Sequence, residues 1–191
     1  MAIKLQHTAL LIILLNVASC AAISPESSPV AGPQLFFIDD YPVELKNIPQ
    51  LTLFGEVYTL PERDLKSQTP TIAKTLAAQM SSIPSLTFIG PFTSSLDDII
   101  SYHPKAVKLV MGYPIGTSSP LEALENQQTL PAGKALAIRI PTDLKSTKRI
   151  WALLYQNAYK QGYRPTLEGR TLIVHNSTYS DYEMELQLML E

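Results

Sequence analysis

The chain has 191 residues, and its 15 lysines and arginines nearly balance its 17 aspartates and glutamates, which gives a formal net charge of −2. Domains that hold nucleic-acid phosphates usually carry a basic excess, so this balance argues against such a surface and we expect no nucleic-acid partner. With 46% hydrophobic residues, the chain can form one soluble domain or two small half-domains that share a core.

The first twenty residues are typical of an export signal rather than of a folded domain. Lys4 supplies a positive charge, and the apolar run Ala9–Leu15 is too short to span a bilayer as a helix. The sequence VASC at 17–20 resembles a bacterial lipobox, in which the cysteine is lipidated and the preceding peptide is removed. We predict a signal peptide over residues 1–19 and a lipid on Cys20; the alternative is an ordinary secretory signal that contains a cysteine.

Residues 20–34 are rich in Ser, Pro and small side chains, and they have too little apolar surface to offset the entropy of ordering. We interpret them as a flexible tether between the lipid and the domain. Ala21 is not the aspartate that favours retention in the inner membrane. The expected location is therefore the outer membrane, with the domain facing the periplasm.

The first half of the domain, residues 35–121, predicts a strand, a helix and two further strands. Val43–Tyr58 is an apolar stretch interrupted by a proline, and we interpret it as one strand or a bent pair. Thr69–Met80 predicts a helix, because apolar residues recur every four positions and Pro70 falls in its first turn. The two further strands are predicted at Leu86–Phe92 and Ala106–Ile115.

The second half, residues 130–191, repeats this order of elements. The alternation in Lys134–Ile140 predicts a half-buried strand, and Ser146–Gln161 predicts a helix. Gly162 follows this helix, at a position that favours left-handed backbone. The last two strands are predicted at Arg170–His175 and Tyr182–Leu190. The repeat is one of structure type and not of residue identity.

Several segments resemble GyrI-like ligand-binding domains, which are also the effector-binding domains of AraC- and MerR-type regulators. They are LPAGKALAIRI at 130–140, the helix that carries Trp151, QGYRP at 161–165, and GYPI at 112–115. The resemblance covers Val43–Leu190, within a domain spanning residues 35–191. It implies an α+β fold related to that of SOUL haem-binding proteins: a tandem strand–helix–strand–strand repeat with pseudo-two-fold symmetry. The antiparallel sheet would carry helices on one face and a ligand groove on the other.

Aromatic side chains are the first candidates for ligand contacts, because the resemblance implies that such side chains line the groove. Trp151 and Tyr155 lie one helical turn apart, and Tyr58 and Tyr113 lie in predicted strands. Flat π-faces suit planar or cationic ligands. The alternative for Trp151 is ordinary packing in the core.

Two carboxylates are candidates for the groove, Glu185 in the last strand and Glu56 in the first. In Tyr182–Leu190 the even-numbered positions from Met184 onward are apolar, so Glu185 faces away from them. A carboxylate inside a groove could hold a cation or act as a general base. The alternative is that these residues are simply solvated on the outer face of a sheet.

Two positions depart from the family pattern in a way that bears on ligand charge. GyrI-like domains often carry a glutamate just after the turn that QGYRP resembles, and Thr171 stands at that position here. Val110 likewise replaces a residue that is often acidic. Both differences argue against a cationic ligand and against the hydrolase activity that some GyrI-like proteins show.

We therefore predict a non-catalytic binding module for a neutral or amphipathic apolar molecule. The alternatives are a GyrI-like hydrolase that uses a groove carboxylate with aromatics, and a protein–protein interaction scaffold. His7, His103 and His175 are scattered without metal-ligand spacing, and there is no phosphate-cradling glycine loop. We expect no metal and no cofactor.

Overall fold

The computed structural model describes residues 34–83, 86–99, 106–116, 126–142, 147–176 and 181–191. The predicted signal peptide, the lipidation site Cys20 and nearly all of the predicted tether lie outside these ranges, as does His103. Within the described ranges, no helix combines the length and the apolar character needed to cross a membrane.

Nine antiparallel strands and two helices make up the described part of the chain. The sheet order is β1-β2-β7-β9-β8-β4-β5-β3-β6. This arrangement confirms the predicted α+β class. The strands are β1 Gln34–Ile38, β2 Tyr41–Ile48, β3 Leu51–Leu60, β4 Thr93–Leu96, β5 Val107–Pro114, β6 Gln127–Leu130, β7 Gly133–Pro141, β8 Pro165–Asn176 and β9 Asp181–Leu190. The helices are α1 Leu65–Ser81, which follows a short 3-10 turn at Glu62–Asp64, and α2 Thr147–Lys160.

The predicted tandem repeat is visible in the strand pairing. In the first half β3 pairs with β5 and β5 with β4; in the second half β7 pairs with β9 and β9 with β8. The halves meet where β4 pairs with β8. An approximate two-fold axis therefore passes between β4 and β8. The predicted segment Val43–Tyr58 corresponds to the bent pair β2–β3.

Two boundaries in the first half differ from the prediction. The strand after α1 is Thr93–Leu96 rather than Leu86–Phe92, in which only Phe88 makes an isolated bridge, to Ile115. Pro91 lacks an N–H and cannot donate to a ladder, so regular pairing begins after it. Helix α1 begins at Leu65, four residues before the predicted start, and this places Pro70 in its second turn.

The segments β2–β3 and β6–β7 form one continuous two-stranded ribbon. β2 pairs with β7 and β3 pairs with β6 in a single register: Val43 lies opposite Ile138, Ile48 opposite Gly133, and Leu51 opposite Leu130. Only two residues separate the strands within each segment. Because β2–β7 lies towards one end of the sheet and β3–β6 lies at the other, the ribbon joins both ends and the sheet must curl.

The helices cover one face of this curled sheet in two separate clusters. Around α2, the buried residues Ile150, Trp151, Leu154 and Ala158 pack on the apolar positions of β7 and β9, such as Leu186. Around α1, a second cluster includes the residues Phe54, Leu76, Met80, Phe92 and Met111. Half-buried Leu96 on β4 is packed against both clusters. Burying each such apolar side chain stabilises the fold by roughly 1.5–3 kcal/mol.

Much of the middle of the face opposite the helices is buried, and we call it the enclosed face. Leu53, Ala135 and Arg170 are fully buried on that face, and Glu185 and Gln187 are 4% exposed. Their positions follow from the alternation of each strand, because their neighbours in sequence pack on the helices. The ribbon is the physical reason, since joining the two ends of the sheet turns this face inward.

Candidate ligand-binding site

A row of side chains crosses the middle of the sheet on the face that carries the helices. Strand pairing places Glu56 opposite Met111, Met111 opposite Ser94, Ser94 opposite Thr171, and Thr171 opposite Leu186. Neighbouring strands lie about 4.8 Å apart, so Thr171 and Glu56 are separated by roughly 14 Å. Ser94 and Thr171 occupy the centre of the row, next to the pseudo-two-fold axis.

The centre of this face is only half-buried, although its strands are interior strands of the sheet. Helix α1 packs on β3 and β5, and α2 packs on β8, β9 and β1, so the surface of β4 lies between the helices. Ser94, Leu96, Thr171 and Ile173 are all half-buried there. We call these four residues the central strip. It presents two hydroxyl groups and two aliphatic side chains, and it contains no charged group.

Aromatic rings adjoin one end of the central strip. Tyr113 lies with its ring centroid 4.5 Å from that of Phe88 and 5.1 Å from that of Phe92. The N–H of Ile173 donates to the carbonyl of Phe92, which connects these rings to the strip. Burial raises the pKa of Tyr113 above its ordinary value, and the nearby Tyr182 hydroxyl raises it further. Tyr113, which the sequence predicts to contact the ligand, thus has two aromatic neighbours.

Sequence reasoning did not select Phe88 and Phe92 as site residues. The sequence places them in the predicted strand Leu86–Phe92, where positions four apart share a face, but it does not show that this face lies against Tyr113. The strand pairing of β5 brings Tyr113 to both rings. The side chain of Phe88 is 47% exposed, so this aromatic end is accessible to solvent.

Trp151 lies in the core beneath α2, where it is 6% exposed. A Cβ atom added to Gly169 would lie 2.9 Å from Cη2 of Trp151 and 2.4 Å from Cγ2 of Ile99. Gly169 thus makes room for both side chains on the face of β8. Gly169 pairs with Leu96, so the indole packs beside the central strip. A direct ligand contact by Trp151 stays a prediction.

Tyr155 is half-buried one turn along α2, and its ring contact is with Tyr159 at 5.2 Å. A hydrogen bond with Tyr159 raises the pKa of Tyr155, and burial and the negative charges nearby act in the same direction. The pair extends along the exposed side of α2. Its role in ligand binding also stays a prediction.

Glu56 and Tyr58 lie two residues apart on β3 and share the helix-bearing face. Burial raises the pKa of Tyr58, and the charge of Glu56 and a hydrogen bond to its carboxylate add to this effect. Both side chains are half-buried. They form a carboxylate–phenol pair at the outer side of the row, two strands away from Ser94.

Glu185 lies on the enclosed face and is surrounded by cations and donors. Its Oε2 atom lies 2.8 Å from Lys46 Nζ and 2.8 Å from Arg139 Nε, and Gln187 Nε2 donates to its Oε1 atom at 2.8 Å. Burial alone would raise the pKa of Glu185, but Lys46, Gln187 and Arg139 together lower it below its ordinary value. Glu185 is therefore an ionised, paired carboxylate on the face opposite Thr171.

No group of three or more His, Cys, Asp or Glu side chains that could hold a metal ion occurs among the described residues. His175 makes an edge contact with the Tyr182 ring at a centroid distance of 5.4 Å. The structure thus divides the predicted site residues between two faces. Thr171, Glu56, Tyr58, Tyr113 and Trp151 lie on the helix-bearing face, and Glu185 lies on the enclosed face.

The fold is that of GyrI-like effector-binding domains, as the sequence resemblance implied. The C-terminal domain of EcmrR matches with a TM-score of 0.65 and 20% identity over 79% of this chain and 98% of that one. EcmrR in its DNA complex matches with a TM-score of 0.67 and 20% identity over 81% of this chain, which spans only 59% of the EcmrR chain. SAV2435 bound to tetraphenylphosphonium matches with a TM-score of 0.52 and 13% identity over 78% and 93% of the two chains.

No family model and no curated protein sequence matches the chain. The likeness to these solved structures is therefore one of fold.

Proposed function

We propose that this protein binds a neutral or amphipathic apolar small molecule on the central strip, between α1 and α2. The observation that carries the proposal is a half-buried, uncharged surface in the middle of the sheet. Interior strands are ordinarily covered on a helix-bearing face, so partial exposure of Leu96 and Ile173 leaves apolar surface for a ligand to cover. The hydroxyl groups of Ser94 and Thr171 can orient a polar atom of that ligand.

The electrostatics of the strip favour a neutral ligand. Glu185 lies on the other face and is paired with Lys46 and Arg139. Glu56 already accepts a hydrogen bond from Tyr58 and lies two strands from Ser94. A cation moved out of water needs a compensating charge, and one aromatic face returns only about 0.5–2 kcal/mol. The ligand of SAV2435, tetraphenylphosphonium, is an apolar cation; we propose an apolar ligand here without the charge.

The fluorescence of Trp151, the only tryptophan, provides the assay because its ring packs against Gly169 beside the strip. The protein is titrated with a neutral hydrophobic dye and with a lipophilic cation of similar size. We expect the neutral dye to bind more tightly to the wild type. Thr171→Glu should reverse this preference by about tenfold or more, since a partly desolvated ion pair contributes over 1.4 kcal/mol.

Thr75→Glu, an equal charge change at an exposed position of α1, is the matched control and should leave the preference unchanged. A wild type that prefers the cation would contradict the proposal. So would an equal effect of the two glutamate substitutions, because the site would then lie away from Thr171.

Hydrolysis by a carboxylate and aromatic groups is the second candidate, and the Glu56–Tyr58 pair favours it. A half-buried carboxylate hydrogen-bonded to a phenol can take up or supply a proton. Turnover of a neutral chromogenic ester that is lost in both Glu56→Gln and Tyr58→Phe, but kept in Glu62→Gln, would support this function. Turnover that is equal in all variants would exclude this pair as its source.

We also propose that the protein is anchored through a lipid on Cys20 to the outer membrane of a bacterial cell envelope and faces the periplasm. The support is the apolar run followed by VASC at 17–20. Metabolic labelling with a fatty-acid analogue should label the wild type and not Cys20→Ser. An unlabelled wild type that is nevertheless exported would point to the ordinary secretory signal.

A further inference from the structure

The enclosed face of the sheet contains two polar atoms without a hydrogen-bond partner in the described part of the chain. They are Nη1 of Arg170 and Oε1 of Gln187. Arg170 is completely buried and Gln187 is 4% exposed. An unpaired buried polar group costs about 1–3 kcal/mol, and more when it is charged, so two such atoms call for a partner.

The two side chains are neighbours on the same face. Arg170 lies directly opposite Gln187 in the β8–β9 ladder, and directly opposed residues have Cβ atoms about 4.5–5.5 Å apart. The residues that flank them in the same row are small: Ser95 opposite Arg170 on β4, and Ala137 opposite Gln187 on β7. Ala137 has no polar side-chain atom and Ser95 has one hydroxyl group, so neither supplies partners for both unpaired atoms.

The remaining hydrogen bonds fix how both groups are oriented. Arg170 donates from Nε to Glu168 at 2.7 Å and from Nη2 to the Pro131 carbonyl at 2.8 Å, so Nη1 is the remaining guanidinium nitrogen. Gln187 must present its NH₂ group to Glu185, because an ionised carboxylate only accepts. Its Oε1 acceptor therefore points away from Glu185.

The ion pairs around this site indicate the kind of occupant. Arg170 pairs with Glu168, Lys46 and Arg139 share Glu185, and Glu44 lies 3.5 Å from Lys46. An added ion would be left unpaired in an enclosed site. The site instead needs a neutral group that accepts from Nη1 and donates to Oε1, and a small one suffices because the two side chains are directly opposed.

We propose that a single buried water molecule occupies this site and bridges Arg170 to Gln187. The Ser95 hydroxyl, which makes only a long 3.3 Å bond to Glu168, is placed to be its third partner. Buried waters typically make about three hydrogen bonds to groups that otherwise lack partners. The water completes a polar network that connects central strand β8 to β9 and, through Pro131, to the ribbon.

Oxygen-17 magnetic relaxation dispersion of the wild type and of Gln187→Met tests the proposal by counting long-lived internal waters. We expect one fewer such water in Gln187→Met. Gln161→Met, the same substitution at an exposed position after α2, should leave the count unchanged. Equal counts in the wild type and a folded Gln187→Met protein would overturn the proposal.

A crystal structure of the wild type, at a resolution that shows ordered water, decides the question even where Gln187→Met does not fold. Density for a water within hydrogen-bond distance of Arg170 Nη1 and Gln187 Oε1 supports the proposal. A direct hydrogen bond between those two atoms, or a protein group in the water's place, overturns it.

Discussion

The most consequential single residue in the described chain is Glu185, because three side chains converge on its carboxylate. Its side chain is 5% exposed and that of Lys46 is 9% exposed, so this pair is largely removed from water. Burying two charges gives little net stability, but removing one partner leaves the other uncompensated. Loss of the Glu185 carboxylate would therefore destabilise the protein mainly because it leaves a buried cation without its partner.

We predict that Glu185→Gln lowers the free energy of unfolding by about 3 kcal/mol, the lower end of the usual range for breaking a buried pair. The lower end applies because Lys46 keeps Glu44 at 3.5 Å and Arg139 is half-exposed. Urea unfolding at neutral pH measures the change. Glu44→Gln, beside the same lysine, is the control and should cost less than about 1 kcal/mol.

The same carboxylate makes stability depend on pH. Since folding lowers the pKa of Glu185, its contribution is fully present above the unfolded-state value of about 4.3 and is lost as pH falls through the folded-state value. The wild type should therefore lose more stability than Glu185→Gln as the pH is lowered from about 5 towards 3. Parallel pH profiles for the two proteins would show that Glu185 is not ionised and paired in the folded state.

Gly169 is a second residue at which a single substitution should disturb the packing, because an added Cβ atom would overlap its neighbours. We predict that Gly169→Ala costs about 1–3 kcal/mol of stability, because the added methyl group overlaps Trp151 and Ile99. It should also shift the fluorescence maximum of Trp151. Gly133→Ala is the comparison: its Cβ atom would meet only Cε of Met189, at 3.0 Å, and a flexible methionine can move. Equal costs at both positions would contradict this account.

At the scale of single elements, α2 illustrates how local sequence fixes a boundary. The helix ends before Gly162, which has a φ of +81°, and the Tyr163 N–H donates to the Ala158 carbonyl at 3.0 Å. This bond across a left-handed residue satisfies a carbonyl group in the last turn. The predicted C-terminal glycine is thereby confirmed.

We predict that Gly162→Ala lowers stability by about 1–2 kcal/mol, purely through the backbone, since nothing lies within 4 Å of an added Cβ atom. Gly162→Asn should cost less, because Asn adopts left-handed backbone more readily. Thermal unfolding followed by circular dichroism measures both. A larger loss in Gly162→Asn than in Gly162→Ala would mean that backbone conformation is not the reason for glycine here.

At the scale of the whole molecule, the two halves are interlocked rather than merely adjacent. β2 of the first half pairs with β7 of the second, and β6, which leads into the second half, pairs with β3 of the first. Each half therefore depends on a strand that the other part of the chain supplies. The central β4–β8 pair adds a further link between them.

We predict that the fragment comprising residues 126–191 does not fold alone, because β7 would lose β2 and the enclosed face would lose Lys46. Its urea unfolding should show no cooperative transition, whereas the fragment 34–191 should unfold in one step. Mixing 34–116 with 126–191 should restore the transition if the interlocked pairing drives assembly. A cooperative transition in isolated 126–191 would show that the halves are independent domains.

The sequence by itself determined the elements and their repetition, because these follow from local chemistry. Alternation, helical periodicity, Gly162 and the breaks at prolines are properties of neighbouring residues, and they gave the strand–helix–strand–strand order twice. The apolar positions of β9 were predicted for the same reason.

Only the tertiary structure decided that the centre of the helix-bearing face is half-buried and that the middle of the opposite face is buried. The register that joins β2–β3 to β6–β7 is a long-range pairing, and no local pattern specifies that the ribbon connects the two ends of the sheet. That connection turns Glu185 inward to Lys46 and Arg139, although its alternation with Leu186 suits a solvated strand equally well. It also leaves Ser94, Leu96, Thr171 and Ile173 half-buried between the helices, because helix placement depends on which strands each helix can reach.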